Sequence, residues 1–323
     1  MDENQSLQPF RTDLLTHMSD TEVRKQNIQW FPGHMAKAFR QMKQDLKLVN
    51  LVIELRDARA PYATENPDIG KLLNGRKRLI LLNKADLADP LITEEWIRFL
   101  QKGGSEAVAL DARTGNSLQA VRKSISVLAA EKRERDRSKG ILQTRALRAL
   151  VCGIPNVGKS SLINSMTGKS LTRTGNKPGV TKGNQWIHVD DTLMLLDTPG
   201  VLWPRFDDEI TKRDLALISA INDDLLNKED LAMRFIAFLS EQYPAVFETR
   251  YQIGETEISE RKDSMDVQVL GCDERSLAIL DLIAMKRNCL KKGGQADYER
   301  AAKLLIDDFR SGRAGRISLE RPR

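Results

Sequence analysis

A glycine-rich octapeptide between an apolar run and a helical run constrains this chain more than any other feature. Residues 153–160 read Gly-Ile-Pro-Asn-Val-Gly-Lys-Ser, which fits the pattern G-x-x-x-x-G-K-[ST]. The pattern predicts a loop whose backbone N–H groups close around phosphate oxygens, with the positive end of the following helix adding to the attraction. An apolar run at 148–152 precedes it and a helical run starts at Ser160. This context predicts an α/β domain with a phosphate-binding loop (the P-loop).

Apolar runs suited to strands alternate with charged helical runs through the first two thirds of the chain. The predicted strands lie at 48–54, 78–83, 106–110, 148–153, 185–189 and 192–197. The predicted helices between them lie at 94–102, 118–139 and 160–167. This alternation predicts a mainly parallel six-stranded sheet covered on both faces. Residues 189–192 read Val-Asp-Asp-Thr and predict a tight hairpin, so one edge strand is expected to be antiparallel.

After residue 204 the strand-like runs stop and apolar residues recur at helical spacing. They fall in four groups, at 215–221, 231–239, 279–285 and 301–309. Spacing of three and four residues predicts amphipathic helices, and therefore a smaller α-helical domain after the sheet. The predicted division is an N-terminal extension at 1–26, a nucleotide-binding domain at 27–205 and a helical domain at 206–323.

Composition excludes several classes of protein. Of the 323 residues, 41% are hydrophobic and 30% are charged, which is enough apolar material for a core. The longest apolar runs are far below the ~18 residues that a membrane-spanning helix needs. The first residues show no secretory signal, and three cysteines without C-x-x-C spacing are typical of a reducing compartment. A cytoplasmic protein without a membrane partner is expected.

The C-terminal end carries the excess of positive charge. From residue 286 to residue 323 there are 11 lysines or arginines against 5 aspartates or glutamates, an excess of six that equals the net charge of the whole chain. A basic end on a neutral body indicates a polyanionic partner. Charge alone leaves a second interpretation open, in which a solvated helix face is followed by a frayed tail.

The tetrapeptide Asn83-Lys84-Ala85-Asp86 predicts which base is bound. N-K-x-D directly after an apolar strand is the guanine-reading element of GTPases. The Asp86 carboxylate can accept from N1–H and from the exocyclic amine of guanine, whereas adenine presents no such donor pair on that edge. Lys84 is expected along the base plane, and Asn83 is expected to brace the loop. The predicted ligands are therefore GTP and GDP.

Two further segments predict a Mg²⁺ site beside the phosphates. Asp197 opens D-T-P-G after the last strand, where its carboxylate can act on Mg²⁺ and the amide of Gly200 can face the γ-phosphate. Thr181, in a glycine- and lysine-rich loop, stands where a switch threonine completes the coordination that the Ser160 hydroxyl begins. Lys159 is expected to reach the β- and γ-phosphates.

Residues 111–113 read Asp-Ala-Arg and occupy the place of the usual S-A-K element, although the first residue departs from it. From this segment only a backbone contact of Ala112 to the guanine carbonyl is expected. The predicted nucleotide-binding residues are Asn83, Lys84, Ala85, Asp86, Ala112, Asn156, Val157, Gly158, Lys159, Ser160, Ser161, Thr181, Asp197 and Gly200.

The order of these segments is unusual for a GTPase. Conventional GTPases place the P-loop first and N-K-x-D near the end, whereas here N-K-A-D and D-A-R precede the P-loop and D-T-P-G. A permuted chain can build the same sheet because termini lie on the surface and are often close together. With this order, with Trp-Phe-Pro-Gly-His at 30–34, Asp-Ala-Arg-Ala-Pro at 57–61 and Gly-Arg-Ile-Ser at 315–318, the chain from residue 27 onward resembles the circularly permuted ribosome biogenesis GTPase A (RbgA/YlqF) family.

The resemblance implies what such a protein does. It implies GTP hydrolysis that promotes a late step of large ribosomal subunit assembly, with docking on rRNA or the pre-ribosomal particle through the basic helical domain. A hypothesis of another class stays open, in which the chain is a GTP-dependent placeholder or checkpoint factor whose hydrolysis is incidental. A tRNA-modifying or translational GTPase is disfavoured by the order of the motifs.

Many GTPases have a glutamine directly after D-x-x-G that orients the attacking water, and this chain lacks it. Val201 follows D-T-P-G in place of a glutamine, and its side chain cannot hydrogen-bond water. The family assigns catalysis to the histidine that matches His34, and the alternative is that His34 only caps the helix after it. The resemblance also implies K⁺ beside the phosphates, bound with the help of Asn156, and the alternative is an amide that braces the loop.

Overall fold

The structure is a computed structural model, and its description covers a defined part of the chain. The described residues are 33–73, 76–141, 146–169, 185–198, 200, 208–223, 226–264 and 273–322. Thr181, Val201 and the side chain of His34 lie outside the described residues, so the expectations placed on them stay predictions. The backbone of His34 lies in the first turn of a helix, α1 (Gly33–Asp45).

Six strands form one sheet in the order β3-β2-β1-β4-β6-β5. In chain order they are β1 (Leu51–Asp57), β2 (Lys77–Asn83), β3 (Glu106–Leu110), β4 (Leu147–Cys152), β5 (Gln185–Asp190) and β6 (Leu193–Asp197). All neighbours pair in parallel except β5, which is antiparallel to β6. The predicted six-stranded, mainly parallel sheet with one antiparallel edge is confirmed. Along the chain, β2 and β3 are added on one side of β1, and β4 then pairs with the other side of β1.

Helices cover both faces of this sheet and continue beyond it. Those that belong to the sheet half are α1, α2 (Pro67–Leu72), α3 (Pro90–Lys102), α4 (Gly115–Ser138) and α5 (Lys159–Thr167). Those that follow are α6 (Glu209–Leu217), α7 (Lys228–Gln242), α8 (Ala245–Tyr251), α9 (Glu255–Ser264), α10 (Glu274–Lys286) and α11 (Tyr298–Arg310). Local sequence sets several of their starts, because a side-chain oxygen accepts from the first free N–H groups. These N-cap residues are Asp89, Asp208, Asn227, Asp273 and Asp297.

The predicted position of the first strand is wrong by three residues. Leu48 is 51% exposed in a short 3₁₀ turn, and β1 instead continues to Asp57. Arg56 and Asp57 are buried because each meets opposite charge, Arg56 with Glu54 and Asp57 with a following arginine. An apolar pattern misses such positions, since charges are rarely buried unless they are paired.

In the helical region after the sheet, four helices correspond to predicted apolar groups and two further helices were not predicted. α6, α7, α10 and α11 contain or adjoin the predicted apolar groups, whereas α8 and α9 were not expected. α9 is polar, and Ile258 is its buried apolar residue, so it carries no helical apolar stripe. Within the described part of the chain, no helix has both the length and the apolarity to cross a bilayer.

The core does not divide at residue 205. One hydrophobic cluster contains residues of the sheet, such as Leu51 and Val151, together with Phe235 of α7 and Phe309 of α11. A second cluster packs α1 on the opposite face of β1 and β4, and a third packs α3 on β2. The boundary between the two domains stays a prediction, but the sheet and the helices after it share buried apolar surface.

Candidate nucleotide-binding site

The described residues of the predicted site gather at one edge of the sheet, and Asp57, which was not predicted, lies with them. Asp57, Asn83 and Asp197 end β1, β2 and β6, while Gly153 follows β4 and Ala112 lies two residues after β3. Because the carboxyl ends of parallel strands meet at the same edge, these residues face one crevice. The direction of strand order reverses between β1 and β4, which is where open α/β sheets bind ligands.

Two glycines allow the P-loop to approach its neighbours. Gly153 has φ +149°, and a Cβ added there would lie 2.6 Å from the carbonyl oxygen of Leu55 on β1. Gly158 has φ +103°, and a Cβ there would overlap the Nδ2 atom of Asn83. Both φ values lie in the region that L side chains rarely adopt. The loop therefore packs directly on β1 and on the guanine-reading segment, and α5 begins immediately after it, at Lys159.

Lys159 and Gly200 meet at the P-loop. The Lys159 ammonium donates to the carbonyl oxygens of Gly153, at 3.1 Å, and Ile154, at 2.9 Å. Burial lowers the pKa of Lys159 to about 8, although the nearby Asp197 carboxylate acts in the opposite direction. A Cβ on Gly200 would lie 2.9 Å from the backbone of Pro155, so the D-T-P-G segment touches the loop without a side chain between them.

The carboxylate of Asp197 has the properties of a cation-binding group. The residue is 2% exposed, and its Oδ1 atom is buried without a hydrogen-bond partner among the described residues. Burial raises its pKa above the usual value, opposed by the Lys159 ammonium. An unsatisfied buried oxygen is costly, and Mg²⁺ with its bound waters would satisfy it. With the Ser160 hydroxyl at the start of α5, the oxygen donors present fit Mg²⁺.

Asn83 joins three parts of the site. Its Nδ2 donates to the carbonyl oxygen of Val157 in the P-loop at 2.7 Å, and its Oδ1 accepts from the backbone N–H of Ala112 at 3.0 Å. The base-reading segment, the phosphate loop and the segment after β3 are thus held by one side chain. The N–H of Ala112 already has an acceptor, so a guanine carbonyl would have to share this donor with Asn83.

Asp86 offers one oxygen to a ligand and keeps the other paired. Its Oδ1 is buried without a partner among the described residues, while Oδ2 accepts from the guanidinium of Arg113. Asp111 in turn accepts from Nε of Arg113 at 3.1 Å. The departure from S-A-K therefore places an arginine, 66% exposed, beside the carboxylate that is expected to read guanine. The sequence pattern predicts no role for this arginine.

The position of the Lys84 side chain is fixed by Asp57, a residue for which the sequence pattern predicted no role. The Lys84 backbone has φ +61°, and the Lys84 ammonium lies 2.9 Å from Oδ2 of Asp57. The Asp57 carboxylate also accepts from Nε and Nη2 of Arg59 at 2.9 and 2.8 Å. Burial favours the neutral acid, but Arg59 and Lys84 outweigh it and hold the pKa of Asp57 well below its usual range. The Asp-Ala-Arg-Ala-Pro sequence, which begins at the last residue of β1, was the available signal.

Asn156 connects the P-loop to the helical region. Its Nδ2 donates to the carbonyl oxygen of Ser219, just after α6, at 2.7 Å. Both residues have positive φ, +59° and +63°, which is unusual outside glycine and stores strain. The hydrogen bond to Ser219 uses the amide nitrogen of Asn156. K⁺ would instead bind the amide oxygen. The role of Asn156 toward K⁺ stays a prediction.

Comparisons with known proteins agree with this architecture. A family model described as "50S ribosome-binding GTPase" matches residues 148–269. The chain is 41% identical over 295 residues to ribosome biogenesis GTPase A of Priestia megaterium, covering 91% of this chain and 97% of that protein. It is 33% identical to the protein of the same name in Thermotoga maritima, covering 91% and 95%.

Two solved structures of similar fold are of proteins with a bound nucleotide. GDP-bound YlqF of Thermotoga maritima aligns with a TM-score of 0.57 at 29% identity, covering 88% of this chain and 99% of that one. The GNP-bound YlqF of the same organism aligns with a TM-score of 0.55 at 30% identity, covering 88% and 98%. The extent and level of similarity show that this chain is a circularly permuted GTPase and belongs to the ribosome biogenesis GTPase A family.

Proposed function

We propose that this GTPase promotes a late step of large ribosomal subunit assembly in the cytoplasm, hydrolysing GTP while docked on rRNA of the pre-ribosomal particle. One observation carries the nucleotide part of the proposal. Asn83 locks the base-reading segment onto the P-loop, so guanine recognition and phosphate binding occur at one edge of the sheet. Membership in the ribosome biogenesis GTPase A family supports the ribosomal part.

In this proposal separate groups of residues bind the base, the phosphates and the Mg²⁺ ion. Asp86 accepts from the guanine edge, and its Oδ1, which has no hydrogen-bond partner within the described part of the chain, supports that role. The P-loop amides and Lys159 receive the phosphates, with the adjacent Val157, Gly158 and Ser161 backbone closing around them. Ser160, Thr181 and Asp197 hold Mg²⁺, which neutralises charge on the β- and γ-phosphates when bound.

Catalysis in this proposal depends on groups outside D-T-P-G. His34 orients or deprotonates the attacking water, and K⁺ bound with the help of Asn156 supplies positive charge near the phosphates. The placement of His34 at the start of a helix that packs on β1 and β4 is compatible with this role. Family resemblance supplies the rest of the support.

The surface for rRNA is narrower than the charge count indicates. Arg310 pairs with Asp223 at 2.7 Å and Arg313 pairs with Asp308 at 2.6 Å, so both guanidinium groups already have a carboxylate partner within the protein. Arg316 donates to backbone carbonyls of the sheet domain. The charge count for residues 286–323 includes all three arginines, but their internal partners reduce what they can offer to a phosphate backbone.

Four other basic residues remain on the surface of the helical region. Lys291, Lys292, Arg300 and Lys303 are exposed, and none forms an ion pair with the described residues. They lie in the turn before α11 and in its first two turns. Such a group can meet phosphates without reading sequence. We place rRNA docking on these four residues, and call them the basic surface.

Turnover with and without ribosomal particles tests the proposal. Purified full-length protein is assayed for phosphate release from GTP alone, with large subunits, and with small subunits as the matched control. The proposal expects large subunits to raise turnover markedly and small subunits to leave it near the basal rate. In the same assay, His34→Ala is expected to lower stimulated turnover by about 10²–10⁴ while nucleotide affinity stays unchanged.

The placeholder hypothesis gives a different result in that experiment. If large subunits bind the GTP form tightly but turnover stays basal, the protein acts by its nucleotide state and its hydrolysis is incidental. Normal stimulated turnover of His34→Ala would instead show that another group orients the water.

A further inference from the structure

The end of the chain returns to the base-reading segment. The C-terminal tail (residues 311–322) follows α11 and lies along the guanine loop (residues 83–89). Ile317 donates its N–H to the carbonyl of Leu87 at 3.1 Å, and Leu319 donates its N–H to the carbonyl of Arg59 at 2.7 Å. Both of these tail side chains are buried. The tail is therefore packed structure, not the frayed end that charge alone left open.

The tail meets the guanine loop on both sides of Asp86. The Arg316 guanidinium donates from Nη2 to the carbonyl of Ala85 at 3.0 Å and from Nε to the carbonyl of Ala88 at 2.9 Å. The Leu87 carbonyl between them accepts from the tail backbone. Three carbonyls that flank the base-reading carboxylate thus point to the tail, and one cationic side chain binds two of them.

Two further backbone hydrogen bonds of the guanine loop are formed with β3 and within the loop itself. Ala85 donates its N–H to the carbonyl of Leu110 in β3 at 3.1 Å, and Leu87 donates to Lys84 at 2.9 Å. The N–H of Ala85 is therefore bound by the sheet, while the carbonyls of Ala85, Leu87 and Ala88 are bound by the tail. A carboxylate that must accept two donors from one base edge depends on such support, because small displacements weaken both hydrogen bonds.

The tail itself is anchored beyond Arg316. The Glu320 carboxylate accepts from the backbone N–H groups of Tyr62 and Ala63 at 2.7 and 2.9 Å, and the Trp96 indole donates to the Glu320 carbonyl at 3.2 Å. Ser318 accepts from the N–H of Asp89 at 3.1 Å. With anchors after it and α11 before it, the tail presents Arg316 to the loop at a defined position.

We propose that Arg316 is a positioning residue for guanine recognition. It acts through the carbonyls of Ala85 and Ala88, and its guanidinium holds the loop so that Asp86 can accept from both donors of the base. The helical region thereby takes part in base selection, although it comes after all the nucleotide-binding motifs in the sequence. This inference rests on the proposed reading of guanine by Asp86.

Base discrimination tests the inference more sharply than stability does. Inosine keeps the N1–H and the carbonyl of guanine but lacks the exocyclic amine, so the ratio of GDP to IDP affinity reports the second hydrogen bond to Asp86. Affinities are measured by titration with the full-length protein. Arg316→Ala is expected to lower that ratio by about 10-fold, the value of one charge-assisted hydrogen bond, with IDP affinity changed less than GDP affinity.

Two companion variants make the result specific. Arg321→Ala removes another arginine of the same tail, which is 55% exposed and pairs with Glu95 at 3.3 Å, so it should keep the wild-type ratio. Arg316→Lys keeps the positive charge but loses the planar pair of N–H donors that fits both carbonyls, so it should give an intermediate ratio. This variant carries the comparison if Arg316→Ala does not unfold cooperatively in a thermal melt.

The outcomes separate the inference from the function it rests on. If wild-type protein binds GDP and IDP equally, guanine reading by Asp86 fails whatever Arg316 does. If wild type discriminates and both Arg316 variants keep the wild-type ratio, or lose GDP and IDP affinity in equal measure, Arg316 does not position the loop and the inference is overturned.

Discussion

Three aspartates at the edge of the sheet have different tasks because their surroundings differ. Asp57 meets two cations and is held as a carboxylate that fixes Lys84. Asp86 has one oxygen paired with Arg113, and its other oxygen has no hydrogen-bond partner among the described residues. Asp197 has an unpartnered Oδ1 among the described residues and a pKa raised by burial. Ion pairing and burial, not residue type, separate a structural carboxylate from two that can bind ligands.

Asp86 gives the direct prediction at the residue scale. Asp86→Asn replaces an acceptor pair by an amide that can donate, so binding of GDP should weaken by about 10–10²-fold, as when a buried hydrogen-bonding group loses its partner. Affinity for XDP should rise relative to GDP, because xanthine carries a carbonyl where guanine carries its amine. Competition titrations with GDP, XDP and ADP measure this, and equal affinity of wild-type protein for ADP and GDP would contradict base reading.

At the scale of elements, α11 supports the nucleotide site from two directions. Its Phe309 ring centre lies 4.9 Å from the Arg59 guanidinium, which pairs with Asp57 beneath the guanine loop. Arg310, the last residue of α11, donates to carbonyls at the end of α6, close to the turn whose Ser219 accepts from the P-loop. α6 also follows D-T-P-G along the chain, so a switch segment ordered by the γ-phosphate would act on it directly.

The Arg310 contacts predict a stability effect. The guanidinium forms two hydrogen bonds with Asp223, at 2.7 and 2.8 Å, and donates to the carbonyls of Leu217 and Ala216. Arg310→Ala removes these four hydrogen bonds, two of them to a carboxylate, and should lower the free energy of unfolding by about 1–3 kcal/mol.

The matched control for that variant is an arginine in a surface pair. Arg137 pairs with Glu134 at 3.4 Å, and both side chains are largely exposed, so Arg137→Ala should change the free energy by less than about 0.5 kcal/mol. Urea denaturation followed by circular dichroism gives both values. Equal values for the two variants would show that the Arg310 contacts add nothing to stability.

At the scale of the whole molecule, the nucleotide site and the proposed RNA-binding surface lie on different parts of one continuous structure. The nucleotide site lies at the carboxyl edge of the sheet, and the basic surface lies at the start of α11. α11 and the C-terminal tail connect them through the shared core and the hydrogen bonds to the guanine loop. Removal of residues 206–323 would therefore take away tail support as well as RNA contacts, and point substitutions separate the two effects.

Neutralising the basic surface is the prediction at this scale. Changing Lys291, Lys292 and Arg300 together to Gln should weaken association with large subunits and flatten its salt dependence, because each phosphate contact adds about one unit to the logarithmic salt slope. Co-sedimentation over a range of KCl concentrations, with a non-hydrolysable GTP analogue present, measures both effects.

The comparison variant for this surface changes three charged residues of another exposed helix, Arg133, Arg135 and Arg137 of α4, to Gln. It has the same change in net charge and should keep the wild-type slope. Docking led by the sheet domain instead would leave the slope of the first variant unchanged too.

Sequence alone was sufficient for the parts of this protein that local rules govern. The sheet with its antiparallel edge followed from apolar runs and a tight turn, and five of the six strands lie within about one residue of their predicted positions, an error ordinary for strand ends. The P-loop and N-K-A-D were evident because their chemistry needs particular residues at short spacing. Their permuted order was readable for the same reason.

Tertiary structure decided what depends on partners far apart in sequence. The role of Asp57 required its ion pair with Lys84 at the end of the neighbouring strand, which no apolar pattern shows. Arg316 looked like one more positive charge at a basic end, yet it binds carbonyls 231 and 228 positions earlier in the chain. A charged side chain becomes a phosphate contact or an internal brace according to what the fold places beside it, and the linear sequence does not specify that neighbour.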